Sequence, residues 1–452
     1  MIPGTEHLRR AALNDVIGHY RGFIRRSEQS EGFTENLAIT LNKVASLTER
    51  IGSAKEAMAA HREARAAFEQ LLQTDPAHQG WKSGRALCDN NIGLLFASSG
   101  DFTTADEHYE LAARTLSKLT IQDSDGVVRR DIGLTWNNLG LLRMQQQRPA
   151  EAVRFLTKSR EILAAFNTSR PDDEQGQRYL TATLENLASA TSLQSPADAR
   201  TFHQQAIEIQ HRLTQSHPLR QDLQQQLAVS YDSFGLLLTS ISEQTEAEVA
   251  FLKAADIQRQ LLRTSPTSTV LLRQLAWSNN HRGQTLARIG RVVDATAVLR
   301  ESLHTQQQAC NLSGDEVRDL SALGGIWNNL GYVLEGQQDT ASAIEAYRAA
   351  VEQLTAAVND KTATDRDRDA LQRARMNLDR ILRRQTDTQE TRDVAIVAPR
   401  DEPGSSPPQT MSLDRSEDSL TNNAFRPDNA GAYSLRTSAQ LITRSDDGYF
   451  GA

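Results

Sequence analysis

Small residues recur along this chain at a nearly constant spacing, within a pattern of apolar positions that predicts helices. The pentapeptide WNNLG occupies residues 136–140 and returns at 327–331. In the same register a glycine or alanine, here called the anchor, stands at seven positions separated by 47 or 48 residues: Ala45, Gly93, Gly140, Ala188, Gly235, Gly283 and Gly331. Apolar residues usually stand eight before and one before the anchor. Because these positions share one face of a helix, each anchor marks an amphipathic helix.

A second helix follows each anchor. An alanine stands twelve residues after most anchors, at Ala57, Ala105, Ala152, Ala247, Ala295 and Ala343, with Ala199 one step early. Short polar stretches separate the two helices. Prolines at positions 76, 171, 218 and 266 fall where the second helix should end, since helices commonly stop just before proline. The sequence therefore predicts seven helical hairpins, and one further step of the register reaches a single helix around Asp379.

The pattern divides the chain into three regions. Residues 1–28 carry an N-terminal helix at 6–26, interpreted either as a cap or as the remnant of an upstream repeat. Residues 29–384 hold seven repeats and a C-terminal capping helix. Residues 385–452 are acidic, with 11 acidic residues against 6 arginines from 386 onward, and we expect them to be disordered. The stretch DDGYFGA at 446–452 allows two interpretations, a docking motif or an unstructured segment. The predicted fold class is all-α, a right-handed α-solenoid with a disordered C-terminal tail.

The sequence also resembles a known repeat family. Trp327, Leu330, Gly331, Ala343 and Tyr347 follow the order of the tetratricopeptide (TPR) signature, in a unit about 14 residues longer than the usual 34. The long units are similar to kinesin-light-chain-type TPRs and to the TPR regions that follow bacterial serine/threonine kinase domains. The resemblance implies a non-catalytic scaffold that binds an extended peptide or a partner helix in a concave groove. The alternative is a regulatory or assembly segment of a bacterial serine/threonine kinase signalling system.

Composition narrows the possible functions. The net charge of −7 and pI near 5.9 argue against a general nucleic-acid binder. The chain has no apolar run of membrane-spanning length, which predicts a cytoplasmic protein without membrane partners. Phosphate-binding loops, kinase catalytic motifs and His-Glu-x-x-His spacing are absent from the sequence. We therefore expect a protein or peptide partner, no enzymatic activity, no cofactor, no metal and no small-molecule substrate.

Two adjacent polar positions before the anchor are the candidate binding residues. The position three before the anchor lies about 160° around the helix from the apolar residue one before it, which predicts that it points away from the core. In the TPR proteins that this chain resembles, the first helix lines the groove and asparagine at the next position grips a peptide backbone. A structural alternative is that these amides only bridge neighbouring repeats. The predicted peptide-binding residues are Asn90, Asn91, Asn137, Asn138, Asn186, Asp232, Asn280, Asn328 and Asn329.

The anchors carry a packing prediction as well. Glycine inside a helix costs about 1 kcal/mol relative to alanine, so the five glycine anchors need a compensating contact. Close approach of a neighbouring helix supplies that contact. Leucine at Gly140 or Gly331 should overpack the site, whereas alanine, already native at Ala45 and Ala188, is expected to be mild.

Overall fold

A computed structural model describes residues 35–51, 54–119, 126–314 and 316–397, together with the isolated residues 15, 18 and 22. The predicted N-terminal helix at 6–26 and the tail beyond 397 therefore lie almost entirely outside the described residues. The described part is all-α, with fifteen helices and no strand. The helices are α1 (Glu35–Ile51), α2 (Ala54–Thr74), α3 (Gln79–Ser99), α4 (Phe102–Leu119), α5 (Val127–Gln145), α6 (Pro149–Ser169), α7 (Glu174–Thr191), α8 (Pro196–Ser216), α9 (Gln221–Ser240), α10 (Gln244–Thr264), α11 (Thr269–Arg288), α12 (Val292–Ser313), α13 (Val317–Gly336), α14 (Thr340–Val358) and α15 (Asp365–Val397).

The described helices fall into two compact units, divided between Leu237 and Leu238 inside α9. In the first unit, α1 packs on α2, α3 on α4, α5 on α6 and α7 on α8, and the second helices α2, α4 and α6 also pack on the first helix of the next repeat. The second unit repeats this order from α10 to α15. The predicted hairpins are confirmed in both units. The last helix continues to Val397, past the predicted repeat boundary at 384.

Five of the hairpin turns share one backbone geometry, whereas the turn before α8 differs, with Ser195 at a φ of −143°. Five residues, each seven after its anchor, adopt a left-handed backbone with φ between 60° and 86°: Gly100, Gln147, Ser242, Gly290 and Gln338. This conformation ends the first helix, and the next backbone N–H donates to a carbonyl five residues earlier, as Arg148 does to Arg143 at 2.8 Å. The second helix starts directly afterwards, with proline in the first turn of α6 and α8.

Small residues form the seam between the two helices of a repeat. The alanines at the start of the second helices are fully buried, as are the anchors Ala45 and Ala188. A large side chain, sixteen residues further along the chain, packs against each of four glycine anchors. The pairs are Tyr109 with Gly93, Leu156 with Gly140, Leu299 with Gly283 and Tyr347 with Gly331. The two repeats with an alanine anchor carry a buried histidine at the equivalent place, His61 and, with the one-residue shift already seen at Ala199, His203.

This pairing corrects the expectation that alanine is mild at every anchor. A Cβ at Gly140 would lie 2.5 Å from Leu156 Cγ, and one at Gly331 would lie 2.7 Å from Tyr347 Cδ1. Both distances are shorter than a carbon–carbon contact permits. Alanine is native only where the residue sixteen later is not a large apolar one, so the anchor and its partner are matched as a pair.

Candidate ligand-binding face

Amide side chains of successive first helices form a ladder of hydrogen bonds. Each rung joins two consecutive repeats. The donor is Nδ2 of the asparagine that stands two residues before the anchor of the later repeat. The acceptor is Oδ1 of the asparagine that stands three residues before the anchor of the earlier repeat. The distances are 3.1 Å for Asn138 to Asn90, 2.9 Å for Asn186 to Asn137, 2.9 Å for Asn329 to Asn280 and 2.9 Å for Asn377 to Asn328. These rungs join residues 48 or 49 positions apart, so each one links two consecutive repeats.

Burial divides the ladder between the two compact units. In the first unit Asn90 and Asn137 are fully buried, and the predicted residues Asn91, Asn138, Asn186 and Asp232 are also buried. The expectation that the position three before the anchor points away from the core therefore fails at Asn90 and Asn137. In the second unit Asn280, Asn328 and Asn329 are only partly buried. Whether any of these residues binds a peptide stays a prediction.

The ladder changes chemistry in the fourth repeat. There, Glu185 replaces asparagine three before the anchor, and the hydroxyl of Ser230 on α9 donates to its carboxyl group. Burial of the Glu185 carboxyl group raises its pKa to about 7, and the hydrogen bond from Ser230 opposes that rise. On the neighbouring helix α8, burial lowers the pKa of His203 to about 4. The first compact unit thus holds two titrating groups with opposite shifts.

Partly exposed residues of the second unit share one face of each first helix. On α11 this face carries Arg273, Trp277, Asn280 and Gln284, and on α13 it carries Ser321, Gly325, Asn328 and Tyr332. The spacing of four, three and four residues is the same on both helices, as expected for one helical face. We call these eight residues the ladder face. A Cβ at Gly325 would have no atom within 4 Å, so open space lies above the centre of α13.

The amide groups on this face have a fixed orientation. Oδ1 of Asn280 accepts from Asn329, and Oδ1 of Asn328 accepts from Asn377. Nδ2 of Asn280 and of Asn328 has no partner among the residues that the structure describes. Trp277 stands three residues before Asn280 on the same face, with its ring 3.8 Å from that of His281. The face therefore presents two oriented N–H donors next to aromatic surface.

A buried ion pair that the sequence pattern does not predict supports the ladder face. Arg273 Nε donates to Asp319 Oδ1 at 2.6 Å, and the same carboxyl group accepts from Ser313 and Gln306. These bonds hold the pKa of the 1% exposed Asp319 below its usual range, against the opposing effect of burial. Because Arg273 lies on α11 and Asp319 at the start of α13, the ion pair fixes the spacing of the two helices that carry the ladder face.

Other functional chemistry is not found in the described part of the chain. No helix there is long and apolar enough to cross a membrane. No group of three or more histidine, cysteine or acidic side chains among the described residues is arranged to hold a metal ion. Cys88 and Cys310 are buried free thiols.

The geometry defines a class of protein, an array of helical hairpins stacked in one register. Residues 324–353, within α13 and α14, match the family model of the tetratricopeptide repeat. The other repeats of the described chain share the register of this match, so the described chain is an array of TPR-like helical hairpins. No curated protein matches the chain in sequence.

Solved structures that are similar to this chain include three proteins. BtubC (BKLC) from P. vanneervenii is 18% identical, with 56% of this chain and 91% of that chain covered and a TM-score of 0.41. The nuclear import adaptor Nro1 from S. pombe is 9% identical, with 65% and 99% covered and a TM-score of 0.44. A Rap protein complexed with competence and sporulation factor is 11% identical, with 84% and 99% covered and a TM-score of 0.38. At these values the likeness identifies no partner for this chain.

Proposed function

We propose that this chain is a protein-interaction scaffold that binds an extended peptide along the ladder face of α11 and α13. The observation that carries this proposal is the pair of oriented amide donors, Asn280 Nδ2 and Asn328 Nδ2, on partly exposed positions of consecutive repeats. Stacked repeats characteristically use an extended surface of this kind for binding.

Asn280 and Asn328 can hold neighbouring repeats together and bind a peptide at the same time. An amide offers both an acceptor and a donor. In Asn280 and Asn328 the acceptor is used between repeats, which fixes the rotamer and turns the donor to the open side. A peptide carbonyl group that takes this bond meets a donor already oriented, so less conformational entropy is lost on binding. Trp277 and Tyr332 offer apolar surface for the peptide's side chains.

The experiment is a selection from a display library of random twelve-residue peptides with the full chain as bait, followed by affinity measurement of the selected peptides. The test variant is Asn280→Asp/Asn328→Asp. Aspartate keeps the oxygen that accepts the rung but replaces the amide donor by a second oxygen. With two peptide hydrogen bonds lost, we expect binding to weaken roughly tenfold or more.

The control adds the same two charges elsewhere. Gln307→Glu/Asn311→Asp changes two exposed side chains of α12, outside the ladder face, and should bind the selected peptides as the native chain does. The proposal is refuted if no peptide is enriched over a bait-free selection, or if the double aspartate variant retains the native affinity.

The kinase-linked alternative rests on the sequence resemblance alone, and no described contact favours it. It stays a prediction, as does the cytoplasmic location. If the selection enriches no peptide but the chain captures a folded kinase domain in a pull-down with purified proteins, the alternative would be preferred.

A further inference from the structure

The second helices of two consecutive repeats flank a crevice, and the first helix between them forms its floor. The residue four positions before the anchor of that first helix stands at the floor of the crevice. In most crevices of the described chain the protein fills this space itself. Between α2 and α4 the floor is Asp89, which accepts from Arg65 Nε at 2.7 Å and contacts His108 Nδ1 at 3.1 Å.

Two further crevices are filled by other chemistry. Between α4 and α6 the floor is Trp136, with Phe155 stacked at 5.5 Å and Lys158 Nζ at 4.6 Å from its ring. Between α10 and α12 the floor is Asn279, whose Oδ1 accepts from Arg259 at 3.3 Å. Arg259 is also paired across that crevice with a glutamate of α12. A floor residue covered by side chains of the flanking helices is thus the rule.

In the crevice between α6 and α8 the floor residue Leu184 is also buried, at 2% exposed, but this crevice contains a cavity of about 430 Å³. Its floor is apolar, formed by Leu180, Leu184 and Ile209, of which Leu184 stands at the floor position. Arg160 stands twenty residues after its anchor, the place that Arg65 has in the first repeat. With leucine below it and no carboxylate, Arg160 lies instead 5.6 Å from the ring of Phe202.

The rim of the cavity carries two pairs of opposite charges. Helix α6 contributes Arg160 and Glu161, and α8 contributes Glu208 and Arg212. None of the four forms an ion pair with another residue in the part of the chain that the structure describes. The net charge of the rim is zero, so it is unsuited to a polyanion such as nucleic acid. It suits a short segment with an apolar side chain flanked by charges of both signs.

We propose that the segment Arg444–Phe450 of this same chain, RSDDGYF, is the occupant of the α6–α8 crevice. The segment lies outside the described residues, and its sequence has the chemistry that the crevice lacks. Asp446 and Asp447 supply carboxylates for the rim arginines, Arg444 supplies a cation for the rim glutamates, and the aromatic pair supplies apolar side chains for the leucine floor. This site lies in the first compact unit, whereas the ladder face belongs to the second, and it does not depend on the proposed function.

The experiment measures fluorescence anisotropy of a labelled peptide of residues 442–452 titrated with the full chain. The receptor carries Tyr449→Ala/Phe450→Ala, so that its own segment does not compete. We expect saturable binding. Replacement of both aromatic residues in the peptide should abolish binding, because the floor offers no other attraction. Arg160→Ala/Arg212→Ala in the receptor should weaken binding roughly three- to tenfold, with a matching loss when salt is raised.

A second receptor variant tests the cavity by filling it. Ala164 lines the cavity and is exposed, so Ala164→Phe should block the site while the protein keeps its melting temperature. The control Arg114→Ala/Arg154→Ala removes two exposed arginines that do not line the cavity and should bind as the parent receptor does. The proposal is overturned if binding does not saturate, if the arginine and cavity variants bind as well as the control, or if Asn280→Asp/Asn328→Asp is the only change that weakens binding.

Discussion

Gly140→Ala tests the match between an anchor and the side chain that packs on it. The new Cβ would lie 2.5 Å from Leu156 Cγ and 2.7 Å from Leu156 Cδ2, and Leu156 is fully buried. Overpacking of this kind costs about 1 to 3 kcal/mol. Alanine also gains about 1 kcal/mol over glycine from helix propensity. We therefore expect a net loss of about 1 kcal/mol in the free energy of unfolding, measured by urea denaturation.

A double-mutant cycle separates the two contributions. Leu156→Ala alone opens a cavity and should cost about 2 to 5 kcal/mol. In that background the clash is gone, so Gly140→Ala should become stabilising by about 1 kcal/mol. The difference between the two backgrounds, about 2 kcal/mol, is the coupling between residues 140 and 156.

Gly325→Ala is the matched control, since Gly325 is also inside a first helix but has no atom within 4 Å of the Cβ position. It should stabilise the protein by about 1 kcal/mol through helix propensity alone. If Gly140→Ala raised stability in the native background as much as Gly325→Ala does, the proposed clash would not exist and the anchor would have no packing role.

Three further changes test other parts of the structure. Asn138→Ala should lower the free energy of unfolding by about 1 to 3 kcal/mol in urea denaturation, because it leaves the fully buried Oδ1 of Asn90 without its donor; an unchanged midpoint would refute the rung. As the pH rises from about 5 to 8, the free energy of unfolding should fall by on the order of 1 to 3 kcal/mol, because Glu185, with a pKa raised from 4.5 to about 7, keeps a proton in the folded state that the unfolded chain releases. Glu185→Gln should remove this pH dependence from the melting temperature. If the pH dependence persists in the variant, a group other than Glu185 causes it. Arg273→Ala should cost about 3 to 5 kcal/mol in thermal unfolding, because it leaves the carboxylate of Asp319 buried without its cation, and Arg273→Ala/Asp319→Asn should recover part of the loss.

The sequence predicted the elements of the fold because helix packing leaves a periodic record. A helix seam needs a small residue at a fixed place, and Gly140, Ala152 and their equivalents stand there in every repeat. The burial of Asn137 was not predicted, since the angle between positions on one helix says nothing about the neighbouring helix that covers the opposite side. Thr183 and Asn186 of the next repeat cover that side and donate to Asn137.

Contacts between distant polar residues were beyond the sequence for a different reason. Arg273 and Asp319 are 46 positions apart, and similar charges occur on many exposed helix faces of this chain. Only the packing of α11 on α13 selects this pair for burial. The α6–α8 crevice was equally hidden, because Leu184 is an ordinary core residue, 2% exposed, and the cavity beside it depends on how the flanking helices pack.

The ladder has a direction, which restricts how such an array is extended. Each of the four amide rungs runs from a donor in the later helix to an acceptor in the earlier one, so a repeat that takes part in two rungs, such as the one with Asn137 and Asn138, carries both groups. The helix α15 carries only the donor, Asn377, and has Met376, 62% exposed, where the acceptor would stand. A hairpin grafted after α15 would find no oxygen to bond. Insertion between α14 and α15 keeps every donor supplied with an acceptor, so that junction is the one at which an engineered array of these repeats can be lengthened.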